Sequence, residues 1–374
     1  MLRALLVGVT CLYSVVNGAA IKSDDGDLIL LSVIFRHGAR TTYSFYPNDP
    51  WKNEQFYPFG KGELTNQGKL GEYKLGRFLK SHYGDFLGPD YTLDKVTVRA
   101  TDVTRTKMSA ELVMAGLFPP SSSLVWNPDL LWLPVPINYK SANDEDIFHR
   151  SSNCPFKSSV LNDLPNIDEV KDKYITPFKE LFEYLHEHSG KSLKTPLDAA
   201  DLFFNLKCEA DMNYTLPEWT NSVYPDLIEE AAGAAYDYHN YNTEVRKINS
   251  GFMLKRIIED AESKIKGTIS PSDRKLMLYS GHESTVGYML SALNLTQGGV
   301  PSYGSAISFE LRKKGDTYYI KLRFRNDPDA SEFIDLTPPG CETLCKIEDF
   351  KELYKDLLPS GSITDACNQN YNKV

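Results

Sequence analysis

The feature that most constrains the fold of this chain is an apolar run that ends at a cluster of charged residues. Residues 28–35 are apolar at every position except Ser32. A strand of this composition is buried on both faces, which is typical of a mainly parallel sheet covered by helices. Arg36, His37 and Arg40 follow at once. The run therefore predicts a central strand that ends in a cationic loop.

Two further segments repeat this arrangement. Residues 95–101 form a strand pattern that leads to Arg99, and residues 275–280 form another that leads to His282. Ligands of open α/β sheets bind beyond the carboxyl ends of the strands, where helix N-termini also attract anions. We therefore expect the three strand ends to meet in one site. Helical patterns follow the three strands, from a Thr65 cap to about residue 82, over 103–117 and over 284–293.

The remaining patterns predict the domain organisation. Residues 306–311 and 318–324 alternate in polarity around a turn-rich link, which predicts a hairpin at an antiparallel edge of the sheet. The segment 154–250 is mostly helical, with turns near its prolines. We predict an α/β fold with a mixed, mainly parallel sheet flanked by helices. Residues 21–153 and 251–374 would form this domain, and 154–250 a smaller α-helical insertion or cap.

The N-terminus predicts export. An apolar stretch from Ala4 to Val16 is followed by small residues and then a polar segment, which is the pattern of a signal peptide over residues 1–20. No later apolar run reaches membrane-spanning length, so no membrane anchor is expected. Two Asn-x-Thr sequons, at Asn213 and Asn294, are candidate glycosylation sites. We therefore expect a secreted protein.

The cysteines agree with an oxidising compartment. Five remain after Cys11 in the signal, so at least one lacks an intramolecular partner. Cys341 and Cys345 are four residues apart, which favours a local disulfide, whereas a zinc site would need a second Cys or His pair nearby. The residues alone leave the pairing of the other three open: Cys154, Cys208 and Cys367.

The charge pattern points to a small anionic substrate. A formal net charge of -9 argues against nucleic-acid binding, which needs a basic face. Phosphoryl transfer requires clamped oxygens and an attacking atom in line, and arginine forks suit phosphate oxygens. We expect Arg36 and Arg40 to bind phosphate around a nucleophilic His37. Arg99 would be a third clamp.

The second strand end would complete the reaction. His282 is expected to hydrogen-bond a phosphate oxygen, and Glu283 is the candidate proton donor for the leaving oxygen. Neighbouring arginines disfavour protonation of an imidazole, so His37 would stay nucleophilic in acid. A carboxyl of ordinary pKa, about 4.3, is mostly ionised at neutral pH, so activity should fall as pH rises.

Several other clusters have structural interpretations. His282-Glu283 begins like a zinc-protease motif but lacks the second histidine, so no metal is expected. His186-Glu187-His188 suits a solvated helix end, and Asp144-Glu145-Asp146 suits a solvated turn because a calcium loop's spacing is missing.

With these motifs in place, the chain resembles the histidine acid phosphatases, in particular the animal branch with the prostatic, lysosomal and insect venom enzymes. The resemblance covers nearly the whole mature chain. Its strongest marks are residues 35–40 (FRHGAR), 62–68 (GELTNQG), 98–106 (VRATDVTRT) and 279–283 (YSGHE).

This resemblance implies an acid phosphatase with a covalent phosphohistidine at His37 and no metal or organic cofactor. It implies phosphate binding by Arg36, Arg40, Arg99 and His282, an α/β domain with a helical cap, and a possible homodimer. It also implies the disulfides Cys154–Cys367 and Cys341–Cys345. Cys208 would be a free thiol, because Ala306 stands where its usual partner is found.

One departure from the family leaves alternatives open. Many relatives have His-Asp where this chain has His282-Glu283, and the longer side chain changes the reach of the donor. The first alternative is a secreted phosphate-binding or allergen-like protein of the same fold with weak or no turnover. The second is a phytase-like phosphatase of polyanionic substrates, which would need further basic residues around the pocket.

Overall fold

The protein is built around one seven-stranded sheet. In the computed structural model, residues 25–148 and 153–371 are described. The strands are β1 (Asp27–Arg36), β2 (Val96–Ala100), β3 (Leu276–Gly281), β4 (Ala306–Lys314), β5 (Thr317–Arg325), β6 (Ile334–Leu336) and β7 (Leu344–Lys346).

The strand order brings the functional loops together. The order is β2-β3-β1-β4-β5-β6, and β7 also pairs with β5. Strand β3 runs parallel to both β1 and β2. The pairs β1–β4, β4–β5, β5–β6 and β5–β7 are antiparallel. In the β1–β3 register Arg36 is opposite Gly281. The loops after β1 and β3 therefore leave the same edge of the sheet side by side.

The predicted mixed α/β sheet is confirmed, and one detail of its layout differs. The hairpin β4–β5 pairs directly with the central strand β1, and two short strands, β6 and β7, lie beyond it. Each of these has three residues, which is too short for alternation of polarity to be recognised in the sequence.

Helices surround the sheet and fill the long middle segment. They are α1 (Asn66–Leu87), α2 (Thr104–Leu117), α3 (Pro155–Asp163), α4 (Asp168–Tyr174), α5 (Lys179–Ser189), α6 (Pro196–Asp211), α7 (Asp226–His239), α8 (Thr243–Arg246), α9 (Phe252–Ile265), α10 (Glu283–Ala292), α11 (Ile347–Tyr354) and α12 (Ile363–Asn368). A π-helical turn, Lys247–Gly251, joins α8 to α9. The Thr65 cap is confirmed, since its side chain accepts from the Gly68 N–H.

Alternation along the strands sends side chains into two cores. On β1, Leu31, Val33 and Phe35 pack with helices α1 and α2, whereas Leu30 and Ile34 pack with α9, α10 and α11. This period of two is the geometry of a strand covered on both faces. It explains why nearly every residue of β1 is apolar.

Between Pro155 and Gly251 every regular element is helical, as expected. Two further apolar cores lie among these helices. Helix α12, near the C-terminus, packs on α3. The Cys154–Cys367 disulfide joins α12 to the start of α3. The division into two domains at residues 153/154 and 250/251 stays a prediction.

Both predicted disulfides are confirmed, and Cys208 is unpaired and buried. The predicted signal peptide lies outside the described residues. Over the residues that the structure does describe, none of the helices combines the length and the apolar character that crossing a membrane requires. Asn213 and Asn294 are both exposed, so both glycosylation predictions fall on accessible side chains.

Candidate active site

His37 lies in the loop after β1, and its imidazole is completely buried. The ring Nδ1 lies 2.8 Å from the Gly38 carbonyl oxygen, and the Nε of Arg105 donates to the ring Nε2 at 3.0 Å. A carbonyl only accepts and a guanidinium only donates, so these partners place the proton on Nδ1 and the lone pair on Nε2. The nucleophilic atom of this ring is therefore Nε2.

Close backbone packing holds this loop against the first turn of α1. A Cβ added to Gly68 would lie 2.0 Å from the Ala39 carbonyl oxygen, and one added to Gly38 would lie 2.5 Å from the Gly68 carbonyl oxygen. The Thr65 N–H donates to the Ala39 carbonyl at 3.0 Å. The position of the histidine thus depends on glycines that allow two backbones to touch.

Arg36 and Arg40 flank the imidazole with unsatisfied donors. The Arg36 side chain is buried, and one Nη donates to the Pro301 carbonyl. Its Nε and other Nη, and the Nε of Arg40, have no hydrogen-bond partner among the described residues. Buried N–H groups normally find an acceptor, and guanidinium groups match phosphate oxygens. This arrangement suits a bound oxyanion.

His282 and Glu283 complete the group from the β3 side. The His37 and His282 ring centroids are 5.4 Å apart. The Nη2 of Arg105 lies 3.4 Å from the His282 Nδ1, and the Thr101 hydroxyl lies 3.0 Å from its Nε2. Because the guanidinium can only donate, the His282 proton is on Nε2, facing Thr101. Arg105 therefore contacts both histidines.

The electrostatics of the site keep both imidazoles neutral. Burial, followed by the charge of Arg105, lowers the pKa of His37 well below its ordinary value. The same two causes lower the pKa of His282 to about 3. A buried imidazole among cations cannot easily gain a proton. Both rings are therefore neutral in the mildly acidic range, each with a single ring proton.

Burial and nearby positive charge shift the pKa of Glu283 in opposite directions. Burial alone would raise the pKa of its carboxyl, but Arg36, His282 and Arg40 outweigh this effect and hold the pKa below its ordinary value. Without a bound anion the carboxyl is thus ionised. An anion that offsets the arginine charge would raise its pKa.

One group of described residues has the geometry to ligate a metal. Ligand atoms of His37, His282 and Glu283 all lie within 4.8 Å of one another. Arg36 and Arg105 face the same space and oppose a cation. The charge around these ligands therefore favours an anion, and the expectation of a metal-free enzyme stays a prediction.

The family model described as the histidine phosphatase superfamily, branch 2, matches residues 27–325. This range contains the group around His37, which consists of His37 itself with Arg36, Arg40, Arg105, His282 and Glu283. The chain belongs to branch 2 of the histidine phosphatases. The predicted family and the predicted enzyme class, a phosphatase, are thereby confirmed.

Curated relatives of this histidine phosphatase cover most of its length. The venom acid phosphatase Acph-1 of Apis mellifera is 35% identical over 92% of this chain and 88% of its own. The prostatic acid phosphatase of Homo sapiens is 31% identical over 92% and 89%. The lysosomal acid phosphatase of Xenopus laevis is 28% identical over 89% and 77%.

Solved structures share the histidine phosphatase fold. A phytase from Hafnia alvei superposes with a TM-score of 0.67 at 17% identity, covering 92% of this chain and 98% of the phytase. A phytase from Klebsiella sp. ASR1 gives 0.62 at 17% identity, with 91% and 98% covered. At this identity the likeness concerns the fold alone.

Arg99 is the predicted site residue that the structure places elsewhere. Its Nη2 donates to both Glu145 carboxylate oxygens, at 2.9 and 3.0 Å, and to Asp146 at 3.1 Å. Strand alternation explains the misplacement: Val96 and Val98 face helix α2, so Arg99 faces the opposite side of the sheet, in register with Tyr279. The expectation that Arg99 is the third clamp is corrected on these grounds.

The same contacts correct the interpretation of residues 144–146 as a solvated turn. Glu145 is buried, and besides Arg99 one of its oxygens accepts three backbone N–H groups, from Asp146, Ile147 and Phe148. Because this carboxylate is fully hydrogen-bonded, it can lie in the interior as the partner of a guanidinium.

Arg105 is the residue that sequence reasoning missed. It lies in the first turn of α2, directly after β2, and its guanidinium contacts both histidines of this phosphatase. The sequence did hold a signal, because a helix N-terminus beyond a strand end is where anions bind. A strand-end rule alone selected Arg99, six residues earlier.

A cavity of about 450 Å³ is lined by Arg40, Arg105 and Glu283. Tyr43, Phe204 and Tyr236 contribute aromatic walls. Among the described residues that line it, these two arginines are the only cations, and Asp201 adds a further acidic group. The space suits the leaving group of a substrate whose phosphate lies on the arginines.

Proposed function

We propose that this protein is a secreted acid phosphatase that hydrolyses phosphate monoesters by transferring the phosphoryl group to Nε2 of His37. The observation that carries the proposal is the buried His37, whose Nε2 accepts from Arg105 and which lies near the unpartnered donors of Arg36 and Arg40. Relatives named venom and prostatic acid phosphatases support the same reaction.

Phosphate binding would come first. Arg36, Arg40 and Arg105 supply donors for the phosphate oxygens, and His282 stands beside them. The Arg105 guanidinium would exchange its bond to His37 for one to phosphate, which frees the lone pair for attack in line with the leaving oxygen. Such preorganised donors stabilise the charge that spreads over the equatorial oxygens.

Two chemical steps would follow. The His37 nitrogen forms a bond to phosphorus as the bond to the leaving oxygen breaks, and the protonated Glu283 gives its proton to that oxygen. A water molecule then attacks phosphorus and gives a proton to the Glu283 carboxylate. The N–P bond breaks, and inorganic phosphate leaves.

The protonation of Glu283 explains an acidic working range. Arg36 and Arg40 hold the pKa of this carboxyl below its ordinary value in the free protein, which favours the ionised form. A bound phosphate offsets that charge and raises the pKa, so the complex holds the proton to higher pH. Above the pKa in the complex the donor is lost, and we expect kcat to fall.

The decisive experiment is to trap the intermediate. We expect rapid acid-free quenching with a radiolabelled aryl phosphate to yield label bound to wild-type protein, stable in alkali and released by acid. His37→Ala should neither bind label nor turn over substrate, whereas His186→Ala, at an exposed position of helix α5, should do both normally. Label retained by His37→Ala would refute the mechanism.

Glu283 is tested by steady-state kinetics with β-glycerophosphate, an alkyl phosphate whose leaving oxygen needs a proton. Glu283→Gln cannot donate a proton, so we expect kcat to fall by a factor on the order of 100 and the descending limb of the pH profile to disappear. An unchanged limb would mean that another group is the donor. Phosphate binding without turnover in the wild type would instead establish the binding-protein alternative.

The phytase-like alternative has less support. A polyphosphorylated substrate needs cations for its additional phosphates, and the walls of the cavity add Asp201 and no cation beyond Arg40 and Arg105 among the described residues. We expect a higher kcat/KM for an aryl monophosphate than for an inositol polyphosphate. The predicted homodimer and cap domain play no part in this choice and stay predictions.

A further inference from the structure

Tyr236 is a buried residue whose hydroxyl the mechanism so far leaves without a role. It lies in helix α7, and 7% of the residue is exposed. Its hydroxyl oxygen is buried with no hydrogen-bond partner among the described residues. A buried hydroxyl without a partner is costly, and it is available to donate to an acceptor that comes within reach.

The ring of Tyr236 packs flat against the helix that carries Glu283. A Cβ added to Gly287 would lie 2.5 Å from the Cδ1 and 2.6 Å from the Cε1 of this ring. Gly287 follows Glu283 by four residues in α10, and residues at this spacing share one face of a helix. The ring therefore presses on the face of α10 from which Glu283 projects.

Tyr236 and Glu283 are also close enough to share a cavity and to interact electrostatically. Tyr236 and Glu283 both line the space beside the catalytic group. Burial, and then the charge of Glu283, raise the pKa of Tyr236 well above its ordinary value. The phenol therefore keeps its proton throughout the working range and can act as a hydrogen-bond donor.

We propose that Tyr236 is a positioning residue for Glu283: its ring fixes helix α10, and its hydroxyl donates a hydrogen bond to the carboxyl as it turns toward the leaving-group oxygen. This inference rests on the proposed function, because it takes Glu283 as the proton donor. When Glu283 gives up its proton it becomes a carboxylate. A hydrogen bond from the Tyr236 hydroxyl to this carboxylate stabilises the products of the first step. Substrates with basic leaving groups depend on that step the most.

The test compares two leaving groups in Tyr236→Phe. With β-glycerophosphate, whose alkoxide needs a proton, we expect kcat/KM to fall about tenfold, which corresponds to the loss of one hydrogen bond to a charged group. With 4-nitrophenyl phosphate, whose leaving group departs unprotonated, kcat/KM should stay near the wild-type value. The ratio kcat/KM is the right measure because it reports only the steps from substrate binding through release of the leaving group.

Tyr238→Phe is the matched control. Tyr238 lies two residues further along α7, is equally buried and also has a hydroxyl without a partner among the described residues, but its ring packs against Tyr174. We expect neither substrate to be affected. Removal of an unsatisfied hydroxyl should leave the melting temperature of both variants unchanged or raised, which verifies folding.

The possible failures are distinguishable. Equal losses with both substrates, or no loss with either, would overturn the role of Tyr236 while His37→Ala remained inactive. Activity retained by His37→Ala would overturn the proposed function itself. A response of Glu283→Gln that is the same for both leaving groups would remove the donor on which the inference depends.

Discussion

At the residue scale, the site depends on which way two arginines point. Arg99 and Arg105 are six residues apart, and both carry a guanidinium near the end of β2. The first bonds to Glu145 on one face of the sheet, whereas the second bonds to His37. Replacement by alanine should therefore reduce activity at Arg105 and stability at Arg99.

We expect Arg105→Ala to lower kcat/KM by a factor on the order of 100 or more, because a donor to the transferring phosphoryl group is lost. Arg99→Ala should retain its kinetics but lose about 3 kcal/mol in the free energy of unfolding, because a buried carboxylate loses its cation. Steady-state kinetics and urea denaturation of both variants measure this. Reversed phenotypes would restore Arg99 as the clamp.

At the element scale, His37 is positioned by contact between its loop and the start of helix α1. Gly68 lies in the first turn of that helix, where an added Cβ would lie 2.0 Å from the Ala39 carbonyl oxygen. Backbone atoms cannot move aside as a flexible side chain could. Any Cβ at this position must therefore displace the loop that carries His37.

We expect Gly68→Ala to lose 1–3 kcal/mol of unfolding free energy, roughly the cost of overpacking, together with a large fall in kcat. Gly71→Ala is the control in the same helix, since its added Cβ meets nothing within 4 Å. That change should stabilise the helix by up to about 1 kcal/mol and spare activity. Thermal unfolding with parallel assays would decide, and equal behaviour of the two variants would contradict the packing argument.

At the scale of the whole molecule, the two disulfides close loops of very different length. Cys154–Cys367 joins residues 213 apart and ties α12 to α3, whereas Cys341–Cys345 joins residues 4 apart. The loop-entropy relation gives roughly 5 kcal/mol for the long loop and roughly 2 kcal/mol for the short one. The long disulfide should therefore contribute more to stability.

We expect Cys154→Ala/Cys367→Ala to lower the melting temperature more than Cys341→Ala/Cys345→Ala, as measured by calorimetry under oxidising conditions. Activity at low temperature should persist in both, because neither bond contacts the group around His37. A larger loss for the short loop would show that strain or local packing outweighs chain entropy here.

Local patterns sufficed for the main elements. The apolar run of β1, the Thr65 cap and the alternation of the β4–β5 hairpin each depend on neighbours within one turn or two strand positions. Such signals are written in consecutive residues. For this reason the strand ends that carry His37 and His282 could be identified before any tertiary contact was known.

The features that local sequence patterns did not predict all depend on tertiary contacts. The pairing of the hairpin with β1, the strands β6 and β7 and the burial of Glu145 follow from pairing and packing between distant segments. The same holds for the Tyr236 ring on Gly287, which are 51 residues apart in the chain.

The sequence by itself determined the α/β class, the family, the cationic loop and its histidine, because these are properties of short motifs and of composition. Only the tertiary structure decided which arginine reaches the histidine and which tyrosine packs on the helix that begins at Glu283. The physical reason is that a side chain's direction depends on the register of its strand and the packing of its helix, and residues far away in the chain set both.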